Sequence, residues 1–529
     1  MKKIKRLLAL SLAIFMLLAL TACGSGGGDG SGGGGDAQGN QSAGADRDTL
    51  VVLSSEAFSG SWDPAGNTVL ANVHLQAVVL SYLVELNYET HEVEPSLATS
   101  WEYCDDGYSM IFHLRDDVTF HDGSKFDAED VKATVEWMSR PDSARGGEWG
   151  EQYLVEVIDE HTCRIYPSSE EPRAALLNLL TYYEAGILSS DDVYNNKLNE
   201  GLNGTGPYKV SKYENETVYL EKFDGYFDAS KAAKIPHVEF RYVPESQTRL
   251  AALQSGEAHL IERVEAEQIP IIEGNQSLAY TVAPVNEQKY MVFKTTQAPM
   301  DNPLVRKAIA YAIDVDTIIE SIMDGNAVKA DCWLAQTCTN YSVCDDFIRY
   351  DPDMAKQLLA EAGYPNGAGL PTLTYITSTG FYPKTKEYGE YIVSCLNEIG
   401  INVDFQPKES ASWSEALYAE DSCHMIDTGW MIGNEDNEML ATCFNAPHGL
   451  MDFSTDETVF AAIAKESGTV DPAQRKQVIQ DELWPALNDS LSMFPLFDST
   501  MIWGFSSDLQ GFKGYPTSNM LFNELSFAN

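Results

Sequence analysis

The chain has 529 residues, 44% hydrophobic and 11% aromatic, so it can build real cores and is longer than a single core usually serves. Lys and Arg number 35 against 79 Asp and Glu, and the formal charge of −44 argues against nucleic acid as a partner. Such an excess of acid suits a solvated surface that mildly repels anionic lipid, and it selects no substrate.

Residues 1–23 have the layout of a secretory leader. Lys2, Lys3, Lys5 and Arg6 precede an apolar run over 7–20 that is short for a bilayer span. The run ends in Leu20-Thr21-Ala22-Cys23, which is similar to the lipobox of bacterial lipoproteins; the likeness implies that Cys23 is lipidated and becomes the first mature residue. Residues 24–47 are rich in Gly and Ser, lack apolar periodicity and read as a tether with a reach on the order of 27 Å. Without the leader the net charge becomes about −48. Eight further cysteines, at 104, 163, 332, 338, 344, 395, 423 and 443, then face a compartment that permits disulfides, with no pairing legible. The spacing of Cys332, Cys338 and Cys344, with no neighbouring histidine, does not match a zinc site, and no metal or cofactor is expected.

From 48 onward no repeat or low-complexity linker divides the chain. Thr49–Ser54 reads as a strand, and 69–86 as a helical apolar stretch ending near Asn87. Residues 108–114 alternate as a strand behind the turn Asp105-Asp106-Gly107. Asp127-Ala128-Glu129-Asp130 opens a helix running to Ser139, with acids in its first turn. Helices follow over 305–313 and 352–362, the second bounded by Asp351-Pro352 and Gly363. A strand over 372–376, a helix over 388–399 and, after Gly400, a strand over 401–405 complete an alternation that predicts an α/β fold with parallel pairing in this half.

Some groupings invite chemistry. His121 beside Asp122 would suit a base and its orienter, but adjacent residues on an extended chain point opposite ways, and a turn through Gly123 is the better reading. Gly204-Thr205-Gly206, followed by Pro207 and Lys209, lacks the Lys-Ser/Thr pair of a phosphate loop and reads as a lobe-crossing turn that uses glycine's torsional freedom. No G-x-S-x-G, H-E-x-x-H or C-x-x-C motif occurs and the nine histidines are scattered, which leaves a secreted hydrolase as a remote alternative whose mark would be turnover of a bound solute.

Several blocks recur in one order: Pro95-Ser96-Leu97-Ala98-Thr99-Ser100-Trp101, Asp106-Gly107-Tyr108, Phe112-His113-Leu114-Arg115 and Phe120-His121-Asp122-Gly123, then 204–210, Leu253-Gln254-Ser255-Gly256-Glu257-Ala258, 305–314, 355–363, Ile399-Gly400-Ile401 and Gly429-Trp430. Together they resemble the bacterial extracellular solute-binding proteins of family 5, a group of dipeptide, oligopeptide and nickel binders, over nearly the whole mature chain. The resemblance implies an α/β, two-lobed periplasmic-binding-protein-like fold (type II, cluster C) with an extra inserted subdomain. Lobe I would comprise 48–72, 203–288 and 494–529, the insertion 73–202, and lobe II 289–493. It further implies a non-catalytic monomer, held at the outer membrane face, that encloses its ligand by hinge closure and delivers it to an ABC permease and its ATPase. Peptide is the first expected ligand; a nickel complex, an opine or an oligosaccharide is the alternative.

Ser55, Glu56 and Ala57 follow the first strand at its carboxyl end, where α/β clefts collect ligands. Phe381 and Tyr382, after the strand at 372, are a candidate aromatic wall, and Trp413 a weaker one. Gly429-Trp430 is the most specific local signal, since a Trp after a flexible Gly can offer a broad apolar face while its N–H seeks a partner. The resemblance implies an aspartate shortly after this Trp in peptide binders. Here Gly433 stands in its place, Glu435 or Asp436 is the candidate to substitute through a shifted loop, and Asn434 is a further candidate ligand-binding residue beside them.

Overall fold

The computed structural model describes residues 48–528 apart from 67–68, 144–148, 150–151, 175, 380 and 432–455. The expectations for Cys23, the tether over 24–47, Gly433, Asn434, Glu435 and Asp436 fall outside the described residues.

β1 (Thr49–Ser54) buries all but its first residue, because it is covered on both faces, and it leads toward α1 (Leu70–Val79). The helix expected to run to 86 stops at Val79. Residues 84–87 instead form β2 (Val84–Asn87), which pairs with β3 (Glu92–Pro95) around a turn containing His91 at φ 56°. A buried helix and a buried strand look alike in a continuous apolar run, so the boundary between them was not in the periodicity. β4 (Ala98–Tyr103), β5 (Met110–Leu114), α2 (Ala128–Met138), β6 (Tyr153–Asp159) and β7 (Thr162–Pro167) form a four-stranded antiparallel sheet, order β4-β5-β7-β6, with α2 packed against it. The Asp127 side chain accepts from the Glu129 N–H, while Asp130 reaches back to the Asp127 N–H, a reciprocal cap that starts α2 where its acids predict.

β8 (Tyr208–Glu214), β9 (Thr217–Lys222), β10 (His237–Tyr242), α3 (Ser246–Ser255), β11 (Leu260–Ile261) and β12 (Leu278–Phe293) come next. Then follow α4 (Pro303–Ala312), β13 (Ala327–Lys329), α5 (Pro352–Glu361), β14 (Leu373–Thr379), α6 (Thr385–Glu398), β15 (Val403–Glu409), α7 (Ser410–Tyr418), β16 (Met425–Met431) and β17 (Met493–Ser506). The main sheet runs β15-β14-β16-β12-β17-β11-β1-β10-β9-β8. β14 is parallel to both β15 and β16, as the alternation in the sequence predicts. β12 and β17 are 16 and 14 residues long and belong to both halves. Residues 278–284 pair with 500–506 next to β11, while 288–292 pair with 493–498 next to β16. Between these stretches the register slips, from Pro284 to Gln288. One two-stranded ribbon thus runs through both lobes of an α/β fold.

A further expectation needs correcting. Gly204 and Gly206 do not adopt positive φ; a Cβ on Gly204 would lie 2.0 Å from the Val79 carbonyl oxygen, and one on Gly206 2.6 Å from that of Val78. They are glycines so that the backbone can lie against the end of α1. His121 holds this segment, its Nδ1 accepting from the Gly204 N–H at 3.3 Å and its Nε2 donating to the Gly206 oxygen at 3.0 Å. Burial pushes the imidazole pKa down to about 4, and with both nitrogens committed to backbone His121 is a structural residue beside a Gly123 turn. Cys332, Cys338 and Cys344 are buried in the core, and Cys104, Cys163, Cys332, Cys344, Cys395 and Cys423 carry free thiols.

Candidate functional site

Glu262 follows β11 and is 1% exposed. Its Oε1 accepts from the Ser54 hydroxyl (2.8 Å), the Ser55 N–H (2.7 Å) and the Ser55 hydroxyl (2.9 Å), and its Oε2 lies 3.1 Å from His74 Nε2 on α1. Burial alone would raise its pKa, but the His74 hydrogen bond and charge, with Arg263 and Ser54, hold the carboxyl well below the usual range. The hub fixes Ser55 and Glu56 at the carboxyl end of β1. Arg249, 2% exposed, donates to the carbonyls of Glu262, Arg263, Val243 and Pro244, clamping a backbone turn in which Arg263 takes φ 48°. So held, Arg263 donates to Glu56 Oε1 at 3.1 Å, each side chain 37% exposed. Glu56 Oε2 also accepts the Leu70 N–H at the start of α1. Ala57 follows, half-buried.

Opposite elements build an aromatic wall. Lys289 on β12 is 2% exposed; its Nζ lies 3.0 Å from Glu287 Oε1, off the hydrogen-bonding axis, and 2.8 Å from the centre of the Tyr382 ring. Burial lowers the ammonium pKa to about 8, against the pull of Glu287. Glu287 accepts from the Ser499 hydroxyl at 2.7 Å; burial would raise its pKa, and the Lys289 charge with the Ser499 bond lowers it. Tyr382 donates to the Gly429 carbonyl at 2.8 Å. A Cβ on Gly429 would stand 2.4 Å from Lys289 Nζ and 3.0 Å from the Tyr382 ring, so this glycine makes room for both side chains. Phe381, 53% exposed, stacks at 5.5 Å on Trp413, which is itself 5% exposed and donates to the Asp427 carbonyl. Trp413 therefore backs the wall that Phe381 and Tyr382 present. Trp430 is half-buried, and its Nε1 has no protein partner among the described residues.

The two groups are near one another: the Arg263 charge acts on both Glu287 and Lys289, and the Lys384 ammonium after the aromatic wall donates to Glu267, a few residues beyond Arg263. Between them the ribbon carries Asp498, 1% exposed, which accepts from Gln288 Nε2 (2.8 Å) and the Gln336 N–H (3.0 Å). Burial raises its pKa to about 7, overriding those two bonds. A carboxyl whose folded pKa stands above its unfolded value near 3.8 weakens the fold as the unfolded chain ionises. Stability is therefore lost between about pH 4 and about pH 7, at up to about 1.4 kcal/mol per pH unit, and this loss levels off above. Asp498→Asn is expected to remove that slope in urea unfolding at pH 5, 6 and 7; parallel slopes for the two proteins would refute the assignment.

The structure thus gathers Ser55 and Glu56 on one wall, and Phe381, Tyr382, Gly429 and Trp413 on the other. Glu262, Arg263, Glu287, Lys289, Asp498 and Ser499 were not anticipated. For Glu287 and Lys289 the available signal was the polar run Asn286-Glu287-Gln288-Lys289 inside a largely apolar strand.

The profile of the bacterial extracellular solute-binding proteins, family 5 Middle, matches residues 92–449. A glutathione-binding protein, GsiB, from Pectobacterium atrosepticum is 28% identical over 446 residues, 81% of this chain and 84% of the relative. Its Escherichia coli K12 counterpart is 27% identical over the same share of this chain and 85% of its own. Among solved structures, the periplasmic binding protein DppA from Helicobacter pylori, in complex with the peptide STSA, superposes with a TM-score of 0.75 at 26% identity, covering 91% of this chain and 98% of that one. The substrate-binding protein CtaP from Listeria monocytogenes gives a TM-score of 0.79 at 21% identity, covering 91% and 99%.

Proposed function

Because the chain belongs to the bacterial extracellular solute-binding proteins of family 5, we propose that it captures short peptides between its lobes and passes them to an ABC permease and its ATPase. The observation that carries the peptide reading is the half-exposed pair Glu56 and Arg263, 3.1 Å apart and held by the Glu262 and Arg249 frameworks. A zwitterionic ligand can replace such a pair by offering its ammonium to Glu56 and its carboxylate to Arg263, so neither protein charge is left desolvated and alone. Trp430, whose N–H has no partner among the described residues, and the Phe381–Tyr382 wall then flank the ligand body. Relatives described as binding glutathione and the peptide STSA are consistent with a ligand of two to four residues.

The same proposal places lobe I at 48–72, 203–288 and 494–529, the insertion at 73–202 and lobe II at 289–493; the change of sheet partners around 284–288 and 498–500 supports such a division. It also places the protein as a monomer on the outer face of the cell membrane, anchored through a lipid on Cys23, and gives it no catalytic step.

Native mass spectrometry of the protein purified without refolding, followed by calorimetric titration with glutathione and with di- to tetrapeptides, tests the ligand. A set of co-purifying peptide masses, or peptide affinity that Arg263→Gln weakens at least about tenfold, is expected. A single non-peptide mass together with no heat from any peptide would overturn the peptide reading and leave the transport role.

A further inference from the structure

A cavity of about 510 Å³ lies at the far end of α1. The first N–H of that helix is tied to Glu56, while Ala77 and Leu80 at its other end line the cavity, so a ten-residue helix about 15 Å long separates the two places. The β2–β3 hairpin, the 181–183 segment and the C-terminal 513–524 stretch close the remaining sides.

Five half-buried tyrosines form its walls: Tyr82, Tyr88, Tyr183, Tyr226 and Tyr515, with the rings of Tyr88 and Tyr515 5.1 Å apart and tilted by 48°. Glu85, Glu89, Glu94 and Glu524 line it against only two cations, Lys231 and Lys513, and these are engaged by Glu85 and Glu89. Glu94 accepts from Asn87 Nδ2 at 2.8 Å and Glu524 from the Tyr515 hydroxyl at 2.7 Å, so the side-chain partners of both are neutral groups. Asn519 also lines it, is 5% exposed, and its Oδ1 accepts no hydrogen bond among the described residues. A buried acceptor without a donor costs about 1–3 kcal/mol unless something supplies one.

An anion is excluded by the surplus of carboxylates. A neutral polyol could hydrogen-bond to the wall but would leave its surplus of carboxylates over cations uncompensated. Aromatic faces, surplus negative charge and an unsatisfied buried acceptor are together the chemistry that holds a cation carrying N–H groups. We infer that this cavity is a second binding site, for a small organic ammonium ion, independent of the cleft that takes the transported solute.

Calorimetric titration of the full chain with spermidine at fixed ionic strength tests the inference. One site is expected, competed by methylammonium and unchanged in Trp430→Ala. Tyr88→Leu is expected to weaken it about tenfold. Glu94→Gln, which keeps an acceptor for Asn87 and so spares the fold, is expected to weaken it several-fold with an unaltered melting temperature. Absence of heat up to about 10 mM, displacement by KCl as effective as by methylammonium, loss of the site in Trp430→Ala, or binding of glucose in its place would each overturn it.

Discussion

Replacing Glu262 with alanine is expected to lower the free energy of unfolding by about 3–5 kcal/mol, the range for removing one partner from a buried charged network. The alanine would leave the hydroxyls of Ser54 and Ser55, the Ser55 N–H and the His74 ring without their common acceptor inside the protein. Its pH signature is distinctive. Because the folded pKa of Glu262 is depressed, its stabilisation is complete above the unfolded value near 4.5 and is lost as the pH falls through the acid range. Urea unfolding at pH 7 and pH 4 therefore should show a large gap between wild type and Glu262→Ala at neutral pH and a smaller one in acid. Equal gaps at both pH values would mean that the carboxylate is not the organising charge.

The second large effect concerns Lys289. Lys289→Met fills the same space with an apolar chain but leaves Glu287, mostly buried, with Ser499 in place of a cation, and a cost of about 3 kcal/mol is expected. Adding Glu287→Gln removes the stranded charge and should return more than half of that loss, because Gln still accepts from the Ser499 hydroxyl. A double-mutant cycle by chemical denaturation reads the coupling directly. If the two substitutions add, the pair is not what holds this part of the ribbon.

How much of this was legible depends on where the deciding interaction lay. Caps and breakers close in sequence were readable: Asp127 with Asp130, Asp351 before α5, and Gly363 and Gly400 at positive φ all act within a few residues. That Phe381, Tyr382 and Gly429 come together has a source in their identity, and the structure sets Phe381 against Tyr382 and Tyr382 on the Gly429 carbonyl. What was hidden is long-range. Glu262 matters because His74 and Ser54 come to it across 188 and 208 residues, and nothing local distinguishes it from any other glutamate after a short strand. Gly204 and Gly206 were read through backbone torsion, whereas the structure uses them for proximity to α1, a property of tertiary packing. The strand at 84–87 was lost inside an apolar run because its partner, Glu92–Pro95, is mostly exposed and gives no apolar signal of its own.

The pairing of β12 with β17 on both sides of a register slip also has a mechanical meaning. Two separate hinges can bend independently, but strands joined by backbone hydrogen bonds on both sides of a register slip share their rotation, so the ribbon acts as a single torsion bar. The slip from Pro284 to Gln288 is its compliant segment, and Gln288 ties Asp498 across it from the second strand. Any reorientation of one half of the sheet against the other is thereby channelled into twist about this bar, with Glu287 and Lys289 immediately beside its compliant segment.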